Sequence, residues 1–265
     1  MSLLGRLLPG SDTMLLRTLR GTEWSQLTDY VSPSFFEVLP ARALWKQLRE
    51  LGGNATDSAG FQLAQRTTEA RMRELGCPVV IGRAAEGPTT ELPALDEAAR
   101  RARGQRMLEI FFGQLAGAPA ALLDLRAACV ESAADDYHWN PRALWVKWDP
   151  AFLASLREIY AGFYGEDDAR FRAALVALEI DAAEDVFRDH LGAGDQSAVR
   201  FEAKTFQSTF HEVFVRCRDA GVRLHPNFLA LGIYLGCLYD HLEALDLAFD
   251  VRGAYHTAAP GKDPV

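Results

Sequence analysis

A chain of 265 residues with 49% apolar and 24% charged side chains has ordinary globular values and ample material for a core, so wholesale disorder is excluded. Its formal net charge of −8 argues against a general nucleic-acid binder, which needs a basic face to displace counterions. Four widely spaced cysteines, Cys77, Cys129, Cys217 and Cys237, fit neither a disulfide framework nor a zinc knuckle and read as buried free thiols.

The N-terminal "MSLLGRLLPGSD" lacks the apolar core of a signal peptide. The longest apolar run, "FLALGIYLGCLY" at 228–239, is about a third shorter than a bilayer span. A soluble, cytoplasmic, bacterial-type protein without a transmembrane segment is therefore expected. The first 76 residues read as helical. Thr13 to Arg20 and Glu23 to Tyr30 are short amphipathic pieces. Leu44, Trp45, Leu48 and Leu51 fall at helical spacing before Gly52-Gly53, and Phe61, Ala64, Met72 and Leu75 do so before Gly76.

The texture then changes. "CPVVIGRA" at 77–84 reads as a strand entered through Pro78, and "EGPTTELP" as a loop. "ALDEAARRARGQR" reads as a short polar helix ending near Gly104, its four arginines a solvated end or, alternatively, an anion or partner contact. "RMLEIFFGQL" and "AALLDLRAACV", flanking "AGAP", read as a β-hairpin. From Pro141 onward the pattern is helical. Apolar stripes fall at Phe152, Leu156, Ile159/Tyr160 and Phe163, at Phe171, Leu175 and Leu178, and at Phe206, Phe210, Val213/Phe214 and Cys217. The helix opened by Pro226 is apolar nearly all round, which places it at the centre of a bundle. Asp195-Gln196 reads as a turn with a helix cap.

The fold class is thus α+β and mostly α: N-terminal helices with a small, mainly antiparallel three-stranded sheet, followed by a C-terminal helical bundle. The divisions are 1–134, an aromatic connector at 135–150, the bundle at 151–256 and a disordered tail at 257–265.

Over residues 107–250 the order of elements resembles the C-terminal lobe of the ABC1 (UbiB/AarF-type) atypical kinases. "ALLDLRAACVE" is similar to that family's Asp-Phe-Gly strand, "LREIYAGFYGEDDARFRAALVALEI" to the helices after it, and "LHPNFLALGIYLGCLYDHLEAL" to its terminal helix. The resemblance implies that Asp124 stands where the family holds magnesium. Leu125-Arg126 replaces the Phe-Gly, however, and "GQLAGAPA" carries no Asp, Asn or His for a catalytic loop. No lysine sits on a strand ahead of Asp124. Phosphoryl transfer is positioning by such groups, so an active kinase is not expected. Read alone, alternation along a strand turns Asp124 and Arg126 toward solvent or a polar groove.

Of the histidines, His138 belongs to "SAADDYHWNP", read as a loop, and Asp135 precedes it by three. Cys237 and His241 share a face of the terminal helix, but no second pair completes a tetrahedral site. His241 reads as a core-edge histidine bonded to a backbone carbonyl. His211, among phenylalanines, faces a bundle interior or its rim and is a plausible general base. "DDYHWNPRALWVKWDP" holds three tryptophans, a tyrosine and a histidine, and serves either as a pinned connector or as a partner or ligand surface. Candidate binding residues are His138, Trp139, Trp145, His211, Tyr239 and His241. No catalytic residue or cofactor is expected, and no metal-ligand set can be assigned.

The leading expectation is a non-catalytic, pseudokinase-like binding or scaffold protein engaging a protein partner or an apolar small molecule, with no nucleic acid and with homo-oligomerisation as an option. Alternatives are a helical metal- or cofactor-dependent enzyme using His138, His211 or His241, and an accessory subunit presenting a substrate to a neighbouring enzyme.

Overall fold

The computed structural model describes residues 41–85, 91–133, 136–191 and 198–259. The pieces expected at 13–30, the turn at Asp195-Gln196 and the last six residues lie outside them. Helix α1 (Ala41–Thr56) runs on through Gly52-Gly53 rather than stopping there. Helix α2 (Ser58–Glu74) is capped by Asp57, whose carboxylate accepts from Gly60 N at 3.0 Å. It ends at Gly76, as its sequence predicts. Gly76 adopts φ +70°, and the amides of Gly76 and Cys77 close on the carbonyls of Arg73 and Met72.

Helix α3 (Glu97–Gly117) corrects the expected hairpin. The segment read as its first strand, "RMLEIFFGQL", continues the polar helix for three more turns. Met107, Leu108, Ile110, Phe111, Phe112 and Leu115 are all buried. A run apolar on every side looks alike as buried strand or buried helix, and here length and the scarcity of β-branched residues favour the helix. Gly104 does not stop it. A Cβ there would meet the Phe249 ring at 2.0 Å, so this glycine permits close packing.

Strand β1 (Val80–Ile81) pairs in parallel with β4 (Asp136–Trp139), and β4 pairs antiparallel with β3 (Val130–Ala133), giving the order β1-β4-β3. The three-stranded sheet therefore exists, but it draws on 130–139 rather than on a hairpin at 105–130. The segment read as a loop around His138 is its central strand. Strand β2 (Ala120–Leu122) pairs with β5 (Trp145–Lys147), which interrupts the region read as wholly helical. The Gln114 amide substitutes for a second neighbour of β2. It accepts from Leu122 N at 2.8 Å and donates to Leu122 O at 3.2 Å and to the Tyr234 hydroxyl at 2.6 Å.

The remaining helices are α4 (Pro150–Tyr164), α5 (Asp168–Ala177), α6 (Glu184–Leu191), α7 (Ala203–Asp219), α8 (Phe228–Ala244) and α9 (Val251–Ala258), with a two-residue ladder between β6 (Val199–Arg200) and β7 (Ala248–Phe249). Their stripes lie as the periodicity predicts: Phe152, Leu156, Ile159 and Tyr160 on α4, and Phe206, Phe210, Val213, Phe214 and Cys217 on α7, are buried. Helix α8 buries nearly every residue from Phe228 to Leu242 and is the centre of the helical layer. Helix α9 runs to Ala258, into the segment expected as tail. No helix of the described residues is long and apolar enough to cross a membrane.

Candidate functional site

A buried collection of ionisable groups lies where the segment after β2 crosses between α3, β4 and α8. Leu125 N donates to Leu123 O at 3.0 Å, closing a three-residue turn centred on Asp124. That turn breaks the strand alternation, and it overturns the solvent-facing expectation: Asp124 is fully buried and Arg126 is 7% exposed. Arg126 donates through Nε and Nη2 to the two carboxylate oxygens of Asp124 at 2.7 and 2.9 Å. Arg142 N adds a third, longer bond to Oδ2 at 3.3 Å, and Trp139 Nε1 donates to the Asp124 carbonyl at 2.7 Å. Hydrogen bonding to this carboxylate raises the Arg126 pKa, against the cost of burial.

One turn along, His241 of α8 receives the same loop. Its Nδ1 lies 2.7 Å from Leu125 O and its Nε2 2.9 Å from Arg103 Nε. A guanidinium only donates, so Nε2 is the acceptor and the proton sits on Nδ1, facing the carbonyl. The carbonyl partner is the one the sequence suggests; the arginine is not. Burial first, then the Arg103 charge, pushes His241 down to about 3, so the ring is neutral. Arg103 also donates through Nη2 to Ala127 O and Val130 O, each at 2.9 Å, and its own pKa is lowered to about 10 by burial. Asp240 Oδ2 accepts from Ala127 N at 3.3 Å, and burial raises its pKa. The Cys129 thiol, beside Asp124 and Arg126, is pushed to about 12, chiefly by burial.

Of the arginines read as a solvated helix end, Arg101 is exposed as expected, while Arg103 is buried. Arg100 donates to Leu245 O at 3.1 Å, where α8 ends, and Arg101 donates to Ala248 O at 3.3 Å in β7. Cations placed on the carbonyls at a helix C-terminus satisfy groups the helix leaves open. Arg103 does the same for the loop after β2.

Of the residues singled out in the sequence, Trp139 and His241 meet this junction. Trp139 is fully buried. His138 points from the other face of β4, with Nδ1 3.2 Å from Arg83 O. Trp145 pins β5 to α1: its Nε1 donates to Asn54 O at 2.8 Å and its carbonyl accepts from Asn54 Nδ2 at 3.1 Å. Tyr239 is buried among Phe201 and Phe206, at ring separations of 4.9 and 4.7 Å. His211 is exposed on α7. The three candidate histidines therefore do not converge, and among the described residues no three His, Cys, Asp or Glu side chains are grouped to hold a metal. Sequence reading missed Arg103, whose bond to His241 spans 138 positions, and Asp240, whose bond to Ala127 spans 113. All four cysteines are buried free thiols.

Two apolar voids lie end to end along α8, sharing Tyr160 and Leu235 as their partition. One continues toward Phe214 and Phe228, the other toward Tyr164 and Tyr239. Their free volumes, about 20 and 30 Å³, each equal roughly one water.

The sequence matches no protein-family model and no curated protein.

Proposed function

We propose that the chain is a non-catalytic binding or scaffold protein engaging a protein partner or an apolar small molecule. The supporting observation is the use of Asp124. The position that the kinase resemblance would give to magnesium has both carboxylate oxygens held by Arg126 inside the protein. A metal would have to break a buried, bidentate ion pair to reach them, leaving a guanidinium unpaired in the core.

The neighbouring groups favour the same reading. His241 has both ring nitrogens committed, one to Arg103 and one to Leu125 O, which leaves no lone pair for a substrate proton or a metal. Burial holds the four thiols protonated. These groups fasten the segment after β2 to α3 and α8, and the result is a rigid platform.

Titration of the purified chain with magnesium–ATP tests the reading. Neither binding heat nor phosphate release is expected; sustained turnover or tight magnesium–ATP binding overturns it. Mass spectrometry of an organic extract of the natively purified chain separates the two kinds of partner, a stoichiometric apolar compound selecting the small molecule.

A further inference from the structure

Away from the Asp124 junction, the N-termini of α4 and α8 are tied together by a closed ring of three residues. Asn227, at the start of α8, gives no side-chain bond to its own helix. Its Oδ1 accepts instead from Asp149 N, just ahead of α4, at 2.9 Å. Asn227 N donates to His225 Nδ1 at 3.2 Å. His225 Nε2 lies 4.0 Å from Asp149 Oδ1, and that oxygen also caps α4 by accepting from Ala151 N and Phe152 N at 2.9 and 3.0 Å. The imidazole is stacked on Phe152, with ring centroids 5.0 Å apart, and Phe152 meets Phe228 of α8 edge-on at 5.1 Å.

An imidazole that accepts a backbone N–H through Nδ1 is neutral and carries its proton on Nε2. Protonation turns Nδ1 into a donor facing another donor, so the bond from Asn227 N cannot survive it. The same proton strengthens the pull of Asp149 on Nε2. These effects oppose each other, and burial decides between them: it lowers the His225 pKa below 6.5 by more than Asp149 raises it. Among the described residues Asp149 is the charged group that acts on the ring, while Lys147 of β5 and Arg223 ahead of α8 are exposed. His225 is therefore neutral at pH 7, and the stability that its bond contributes is lost as pH falls below 6.5.

We propose that His225 is an acid-released latch between the N-termini of α4 and α8. Neutral, it fixes the His225–Asn227 turn so that Asn227 Oδ1 stays on Asp149 N. Protonated, it turns from Asn227 to Asp149, and the turn that holds the start of α8 against α4 is freed. The release is local, because α8 is buried along nearly its whole length beyond that turn. This device goes beyond the binding reading given above and stands whether or not that reading holds.

NMR titration of the full chain from pH 7 to pH 5 follows the His225 ring together with the Asn227 and Asp149 amides. The ring should titrate below 6.5, and the Asn227 amide should lose its hydrogen-bonded shift with the same midpoint. Protection of the Asp149 amide from hydrogen exchange should fall about tenfold across that step, the loss of one hydrogen bond. His225→Gln can accept from Asn227 but does not titrate, so it should abolish both changes. Asp149→Asn keeps the cap and removes the charge that favours the imidazolium, so it should move the His225 midpoint lower. A midpoint above 6.5, an Asn227 amide that does not follow the ring, changes that persist in His225→Gln, or a midpoint that rises in Asp149→Asn overturns the proposal. If His225→Gln does not fold, the wild-type midpoints and the Asp149→Asn shift still decide it.

Discussion

Arg103 Nε donates to His241 Nε2 across 2.9 Å of fully buried space, joining α3 to α8 through a histidine that must be neutral to accept. The pairing makes stability depend on pH in a fixed direction. His241 is held near 3 in the folded chain against an ordinary value of 6.5. Below pH 6.5 the unfolded chain therefore binds a proton that the folded chain refuses, and stability falls as pH falls. The loss from this residue is about 2 kcal/mol between pH 7 and pH 5. Asp240, whose pKa is raised by burial, works the other way: its contribution is complete at low pH and is lost as pH rises through its folded value. Urea unfolding at pH 7 and pH 5 reads the sum. His241→Gln, which keeps a donor and an acceptor, should lower stability at pH 7 and flatten the slope. An unchanged slope in that variant would show that the imidazole is not the source.

The Asp124–Arg126 pair makes a second prediction. Removing one partner leaves a charge stranded in the core, and Asp124→Leu should cost about 3–5 kcal/mol. Arg126→Met alone should cost a similar amount. The double variant Asp124→Leu with Arg126→Met removes both charges together and should recover most of the loss, because a buried ion pair adds little over apolar packing. Chemical denaturation of the four proteins forms the cycle. A double variant as unstable as the sum of the singles would place the energy in contacts each side chain makes outside the pair, such as that of Asp124 with Arg142 N.

These two pairs also mark where the sequence is legible. Helices α4 and α7 could be read because their apolar positions recur every three or four residues and their burial follows from that spacing, and α8 because Pro226 opens an apolar run too long for a strand. Gly76 could be read as a helix end because only a residue at ease with positive φ closes that turn. Asp124 could not, since alternation holds only while the strand stays extended, and the turn at Leu123–Leu125 ends it. The carbonyl partner of His241 is a generic expectation for a buried imidazole, while Arg103 is 138 positions away and carries no local signal. Residues 107–116 were ambiguous for a different reason: periodicity cannot separate a strand from a helix that is buried on every side.

Gln114 carries the third prediction. Its amide holds both backbone groups of Leu122 and the Tyr234 hydroxyl, and its oxygen also accepts from Thr68 Oγ1 at 3.1 Å. Gln114→Met matches the shape but removes every bond, leaving buried groups unpaired, and should cost about 2–4 kcal/mol. Hydrogen exchange should show the Leu122 amide among the first of the sheet to lose protection. Retained protection at Leu122 would mean that β5 alone secures the strand.

Glu179 supplies the last. It follows helix α5 in the left-handed region at φ 58°, exposed and, among the described residues, without the arginine partners that Glu166 and Asp246 find in Arg252 and Arg200. A β-carbon in that conformation costs about 1–2 kcal/mol, which glycine avoids while losing about 0.5–1 kcal/mol of chain entropy. The balance favours glycine, so Glu179→Gly should stabilise the protein by about 0.5–1 kcal/mol, a rise in the unfolding midpoint with no change in the denaturant slope. The same substitution at Glu166 should gain less, since it also removes the contact with Arg252. A destabilised Glu179→Gly would mean that the turn after α5 relies on the glutamate side chain rather than on its backbone.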